Sequence, residues 1–170
     1  MTERHYRLGD VKQIRSGRSK MGNNYGHLDK YRFAQTAYDN AGGQPTGHCA
    51  RYIHDAMRSA ALNLPLKDAW LYSREKGSAL KEAGFVQISP AGYRPQIGDI
   101  VIWLPCLGNP VPPGYPTGAK HTNGHIQVYT GRSDHPWVSD FRQNEKSLPS
   151  LPGAGWHTKR AVYEIYRHAG

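Results

Sequence analysis

The stretch 40–62, NAGGQPTGHCARYIHDAMRSAAL, decides how this chain is read. Residues 40–47 are Gly, Pro and small polar side chains, the composition of a loop. From Cys49 onward, Ala50, Ile53, Met57, Ala60 and Ala61 recur at three- and four-residue spacing. That periodicity predicts a helix over 49–62 with one apolar face. Cys49 therefore opens a helix, directly after a loop that exposes it. The unpaired N–H groups of a first helical turn, and the helix dipole, favour a thiolate there. Taken by itself the position reads equally well as a small buried hydrophobe on a packed helix.

Upstream, Tyr31, Ala34 and Tyr38 share one helical face and predict a short helix over 29–39, while residues 1–28 are polar and read as irregular. Downstream, a weaker helical region covers 67–83, interrupted near Gly77. After Gly84 the pattern turns to short apolar runs at 85–88 (FVQI), 99–104 (DIVIWL), 125–130 (HIQVYT), 137–141 (WVSDF) and 161–166 (AVYEIY). A long Pro/Gly loop, 105–124, separates the second from the third, and loops of that length are commonly functional. Helices first and an antiparallel set of strands afterwards is an α+β layout. A length of 170 residues suits one domain, here an irregular segment 1–28 and a core 29–170.

The chain carries 22 Lys and Arg against 13 Asp and Glu, a formal net charge of +9. A surface this basic points to an acidic partner: nucleic acid, anionic lipid or an anionic wall polymer. The basic run at 15–20, RSGRSK, reads as a solvated segment. No apolar run reaches the roughly 18–20 residues that span a bilayer, and MTERHYRLGD has no signal-peptide core. The protein is thus expected to be made in the cytoplasm, and a substrate outside it would need an accessory route to carry the protein there. Two cysteines, Cys49 and Cys106, do not define a disulfide.

Cysteine-based amide hydrolysis needs a thiol, a base for its proton and a group that orients the base. His125 stands out among nine histidines because it starts an alternating strand directly after Asn123-Gly124. Such a residue is held rigidly yet faces a cleft. Asp140 lies on the next predicted strand, within reach of the imidazole if the two strands pair antiparallel. A hydrogen-bonded core histidine and a solvated acid remain the plainer readings of these positions. His121 and His125 form an H-x3-H pair that straddles a loop and a strand, and no acidic third ligand is near in sequence. No metal or other cofactor is expected. Trp103, Tyr115 and Trp137 are candidates to line a groove, Tyr115 the best placed because it sits in the Pro-rich loop.

Several pieces together resemble the CHAP amidohydrolase/peptidase family and the related NlpC-type wall peptidases. They are GHCARYI at 47–53, AGF at 83–85, PQIGDIVIW at 95–103, GHIQVY at 124–129 and WVSDF at 137–141. The resemblance covers about residues 36–166 and implies a papain-like fold, with the nucleophile's helix packed on an antiparallel sheet. It implies Cys49 as nucleophile, His125 as general base and Asp140 as the third, orienting residue. Many CHAP members have Glu there with Asn shortly after. This chain has Asp140 followed by Gln143 and Asn144, so these two are rivals for the role. Tyr38 is similar in arrangement to the tyrosine that precedes the nucleophile in NlpC-type enzymes. Tyr38, His48, Tyr115, Gln143 and Asn144 are the candidates for substrate contact.

The expected function is hydrolysis of an amide bond in the peptidoglycan stem peptide, as an endopeptidase or an N-acetylmuramoyl-L-alanine amidase. A phage endolysin and an injected antibacterial effector both fit, and injection suits a chain without a targeting module better. The site of action is then the periplasm or wall of a target bacterium. Expected partners are peptidoglycan and either a cognate immunity protein or a delivery apparatus, with no membrane span and no nucleic acid. The alternatives are a papain-like acyltransferase or deamidase acting on a protein, and a non-catalytic basic module for wall polymer or nucleic acid.

Overall fold

The computed structural model describes residues 25–72, 79–104, 124–143 and 163–170. The 15–20 basic run, Cys106, Tyr115, His121 and Asn144 lie outside the described residues. Helix α1 spans Lys30–Asn40, and α2 spans Cys49–Ser59. A 3-10 turn at Ala69–Tyr72 and a single helical turn α3, Ala79–Glu82, occupy the region of weak helical periodicity. Five strands follow: β1 Phe85–Ile88, β2 Ile100–Trp103, β3 His125–Tyr129, β4 Trp137–Val138 and β5 Tyr163–His168. They form one sheet in the order β1-β5-β2-β3-β4, and every neighbouring pair is antiparallel. This is the expected α+β, papain-like arrangement of N-terminal helices on a central antiparallel sheet. No helix among the described residues is long and apolar enough to cross a membrane.

Local chemistry sets the element ends. Asp29 caps α1, its carboxylate accepting from the Arg32 N–H at 3.0 Å. Helix α2 stops at Ser59, three residues before the apolar periodicity runs out. Ala61 takes a left-handed φ of +67°, and the N–H groups of Ala60, Ala61 and Leu62 fold back onto α2 carbonyls. Residues 25–26 cross this end: Asn63 N–H donates to the Tyr25 carbonyl at 2.8 Å, and a Cβ at Gly26 would lie 2.1 Å from the Ala61 carbonyl oxygen. Only glycine allows that approach. The run 137–141 also yields a shorter strand than its pattern predicts, because the chain turns at Ser139-Asp140 after two paired residues.

The sheet buries both faces. Ile100, Ile102, Ile126 and Val128 join Phe33, Ile53, Met57 and Tyr166 in the core beneath the helices. Val101, Trp103, Trp137 and Ile165 form a second cluster. Trp103 and Trp137 are thus core residues, and neither lines a groove. Fully burying each large aliphatic side chain contributes roughly 1.5–3 kcal/mol, so the doubly covered β2 is the anchor of the sheet.

Just before β2, the buried Asp99 organises the turn. Its carboxylate accepts from Arg167 Nε and NH2, each at 2.8 Å, from the Tyr93 hydroxyl at 2.8 Å and from the Gln96 N–H at 2.8 Å. The Gly-Asp that opens the DIVIW strand therefore ties β2 to β5. Burial, with the Asp99 carboxylate beside it, holds the Tyr93 hydroxyl far above the ordinary phenol range.

Candidate active site

Helix α2 packs on β3 and places Cys49 against the start of that strand. Cys49 is a free, half-buried thiol. Burial pushes it up to about 11, and the charge of Asp140 pushes in the same direction. The backbone N–H groups of Ile126, Ala50 and Cys49 pull against that rise. The helix N-terminus thus acts on the sulfur as the sequence suggests, but desolvation outweighs it. Because Ile126 follows His125, the nucleophile candidate and the base candidate meet at the first residues of β3.

His125 is buried and pairs with Trp103 across β2–β3. Its Nε2 is 3.2 Å from Gln143 Nε2, in a buried side-chain hydrogen bond. The main chain of Gln143 is itself pinned. Its N–H donates to the Trp137 carbonyl at 3.2 Å, and its carbonyl accepts from His135 Nδ1 at 2.9 Å. An amide of this kind turns through 180° to offer either its NH2 or its oxygen to the ring.

Asp140 is buried beside these groups, and the hydrogen bonds of its carboxylate reach the loop before Cys49. Oδ2 accepts from Thr46 N–H at 2.6 Å, the Thr46 hydroxyl at 2.8 Å and Gly47 N–H at 3.0 Å. Oδ1 accepts from the Ser139 hydroxyl at 3.0 Å. Burial alone would raise its pKa; the Thr46 and Ser139 hydrogen bonds and the nearby His125 hold it below the ordinary carboxylate value. Asp140 therefore lies within electrostatic reach of both Cys49 and His125. Sequence spacing alone identified none of Thr46, Gly47, Ser139 and His135. The one legible signal was the Pro-Thr-Gly turn three residues ahead of the cysteine.

The remaining candidates fall on the rim. His48 is the exposed N-cap of α2, and its side chain makes no capping bond. The Tyr38 hydroxyl donates to Asp134 at 2.6 Å, and the guanidinium carbons of Arg132 and Arg142 stand 3.9 and 4.5 Å from its ring centroid. The Arg142 guanidinium also donates to the Tyr38 carbonyl at 3.3 Å. Tyr38 thus joins α1 to the segment that carries Asp140 and Gln143. Among the described residues, no three His, Cys, Asp or Glu side chains gather where a metal ion could be held.

No family model matches the sequence, and no curated protein matches it. Two solved structures do. The chain is similar to a chain of the type VI native effector-immunity complex Tae3-Tai3 from Ralstonia pickettii, at 26% identity and a TM-score of 0.61, over 82% of this chain and 98% of that one. The selenomethionine form of the same complex matches at 27% identity and a TM-score of 0.59, over 80% and 99%.

Proposed function

We propose that this protein hydrolyses an amide bond of the peptidoglycan stem peptide, as an antibacterial effector delivered into a target bacterium. One observation carries the chemistry. A free thiol at a helix N-terminus meets the strand start that bears His125, whose Nε2 is hydrogen-bonded to Gln143. The likeness to a type VI effector-immunity complex supports delivery as an effector over release as a phage endolysin, and supports a cognate immunity protein as partner. The net charge of +9 suits an anionic wall.

In this reading Cys49 is the nucleophile and His125 Nδ1 the base, since Nε2 is the nitrogen bonded to Gln143. Gln143 turns its Oε1 to accept from Nε2–H, which keeps the lone pair on Nδ1. As Cys49 attacks the carbonyl carbon, its proton passes to His125, and Oε1 goes on accepting from the imidazolium. The N–H groups that open α2 act on the sulfur in the resting site and are released to the developing oxyanion as the sulfur bonds to carbon. The C–N bond then breaks, and the leaving amine takes the proton from His125. Water, deprotonated by the same ring, cleaves the thioester and restores the thiol. Between the two described rivals for the orienting role, the 3.2 Å contact of the Gln143 amide with the ring favours Gln143 over Asp140.

The test is digestion of purified sacculi, with products read by mass spectrometry, which also assigns the bond. Cys49→Ala and His125→Ala should each lower turnover by about 10⁴-fold or more. Undiminished digestion by Cys49→Ala overturns the proposal. Transfer of an acyl group to an added amine, with no wall fragments released, would favour the acyltransferase alternative instead.

A further inference from the structure

We infer that Asp140 is a positioning residue for the nucleophile: its carboxylate braces the turn that delivers Cys49 to β3. The inference rests on the Cys49 reading above, and it assigns Asp140 to the opposite partner from the one its place in the strand order suggests.

Asp140 holds the 42–47 loop at both ends. Its main-chain carbonyl accepts from the Gly42 N–H at 2.9 Å, and the Gly42 carbonyl in turn accepts from the Arg142 N–H at 2.9 Å. Its side chain takes the other end, with three donors from Thr46 and Gly47 on a single oxygen. The brace then runs on toward the sulfur. The Thr46 hydroxyl donates to Asp140 and accepts from the His48 N–H at 3.3 Å, one residue before Cys49. Gly47, between them, sits at φ +82°, a conformation that suits glycine.

The helix start needs such a support. Residues favoured at an N-cap carry a side-chain oxygen that fixes the first turn, and loss of that bond costs about 1 kcal/mol. Here the N-cap is His48, with no side-chain capping bond. Asp140 secures the turn from outside instead. The N–H groups of Cys49 and Ala50 act on the thiol rather than on a cap. A nucleophile displaced by about 1 Å can lose about 10²-fold in rate, so a brace on the two preceding residues bears directly on turnover.

Two substitutions separate this role from a charge acting on His125. Asp140→Asn removes the charge but keeps the brace: the amide oxygen still accepts from Thr46 and Gly47, and the NH2 donates to Ser139. Thr46→Val keeps the charge but breaks the link from Asp140 to His48. With Asp140→Ala they are compared for turnover on sacculi and for the rate of Cys49 alkylation by iodoacetamide between about pH 6 and pH 11, followed on the Cys49 peptide by mass spectrometry.

The brace predicts that Asp140→Ala lowers kcat about 10²-fold and Thr46→Val about tenfold, with Asp140→Asn losing only about threefold. It also predicts that Thr46→Val and Asp140→Ala move the Cys49 alkylation profile toward lower pH, as a loosened thiol gains solvent, and further than Asp140→Asn does. A Thr46→Val profile superimposed on the wild type, with Asp140→Asn as impaired as Asp140→Ala, overturns the inference. If Asp140→Ala does not fold, Thr46→Val against Asp140→Asn still decides. Alkylation reads the cysteine without any wall substrate. A profile that responds to Thr46→Val in a protein that digests no sacculi therefore upholds the brace and removes the wall substrate.

Discussion

At the scale of single residues, the balance at Cys49 is the informative one. A helix N-terminus lowers a thiol's pKa, and the Ile126, Ala50 and Cys49 N–H groups act in that sense. Burial acts the other way and is larger, leaving the thiol at about 11. A thiol with that pKa is protonated at neutral pH, and in the proposed mechanism the thiolate arises as His125 takes the proton. The alkylation rate of wild-type Cys49 should rise about tenfold per pH unit between pH 7 and pH 9. A rate already level at pH 7 would show a preformed thiolate–imidazolium pair. Gln143 makes a second prediction at this scale. Gln143→Ala should lower kcat by about 10²-fold with KM little changed, because the imidazole loses the amide that directs it. A change confined to KM would place Gln143 against the substrate instead.

At the scale of elements, the site depends on how strand ends and loops are tied. Asp140 does this with a charge that stays ionised. Its folded-state pKa lies below the ordinary carboxylate value of 3.8, so the folded protein binds its proton less readily than the unfolded chain does. That stability is complete above the ordinary value and is lost as pH falls through the folded one. Asp140→Asn should flatten the decline in stability below about pH 4, measured by chemical denaturation across acid pH. The Asp99–Arg167 pair ties β2 to β5 in the same manner, with Asp99 1% exposed and the Arg167 side chain 25% exposed. Asp99→Ala would leave a partly buried guanidinium uncompensated and remove the acceptor for Tyr93 and Gln96. A loss of about 3 kcal/mol is expected, or roughly 6–12 °C in Tm. An unchanged Tm would mean that hydrophobic cover alone holds β2.

At the scale of the whole molecule, the relevant quantity is charge. In the proposed reading, a net +9 spread over 170 residues draws the protein to an anionic polymer. That attraction is screened as the Debye length falls from about 10 Å at 0.1 M salt to about 3 Å at 1 M. Cosedimentation of the Cys49→Ala variant with sacculi should therefore weaken progressively with added NaCl. Binding that ignores salt would point to recognition by shape and hydrogen bonds.

The amino-acid sequence by itself determined the α+β order, the helix that Cys49 opens and the strand that His125 begins. Periodicities of 3.6 and 2 residues report which face of an element is buried, and they survive without tertiary information. The ends of those elements were less legible. Helix α2 stops at Ser59 because Tyr25 and Gly26 cross its end, and β4 stops at Val138 because the chain turns to bring Asp140 to Thr46. Only the tertiary structure decided which polar side chain meets which. Asp140 and Gln143 are three residues apart and both chemically able to hold an imidazole, yet one reaches the loop before Cys49 and the other the ring. Spacing along a chain does not encode the direction of a side chain beyond a turn. The same holds for the thiol, whose burial in the fold outweighs the helix terminus that the sequence displays.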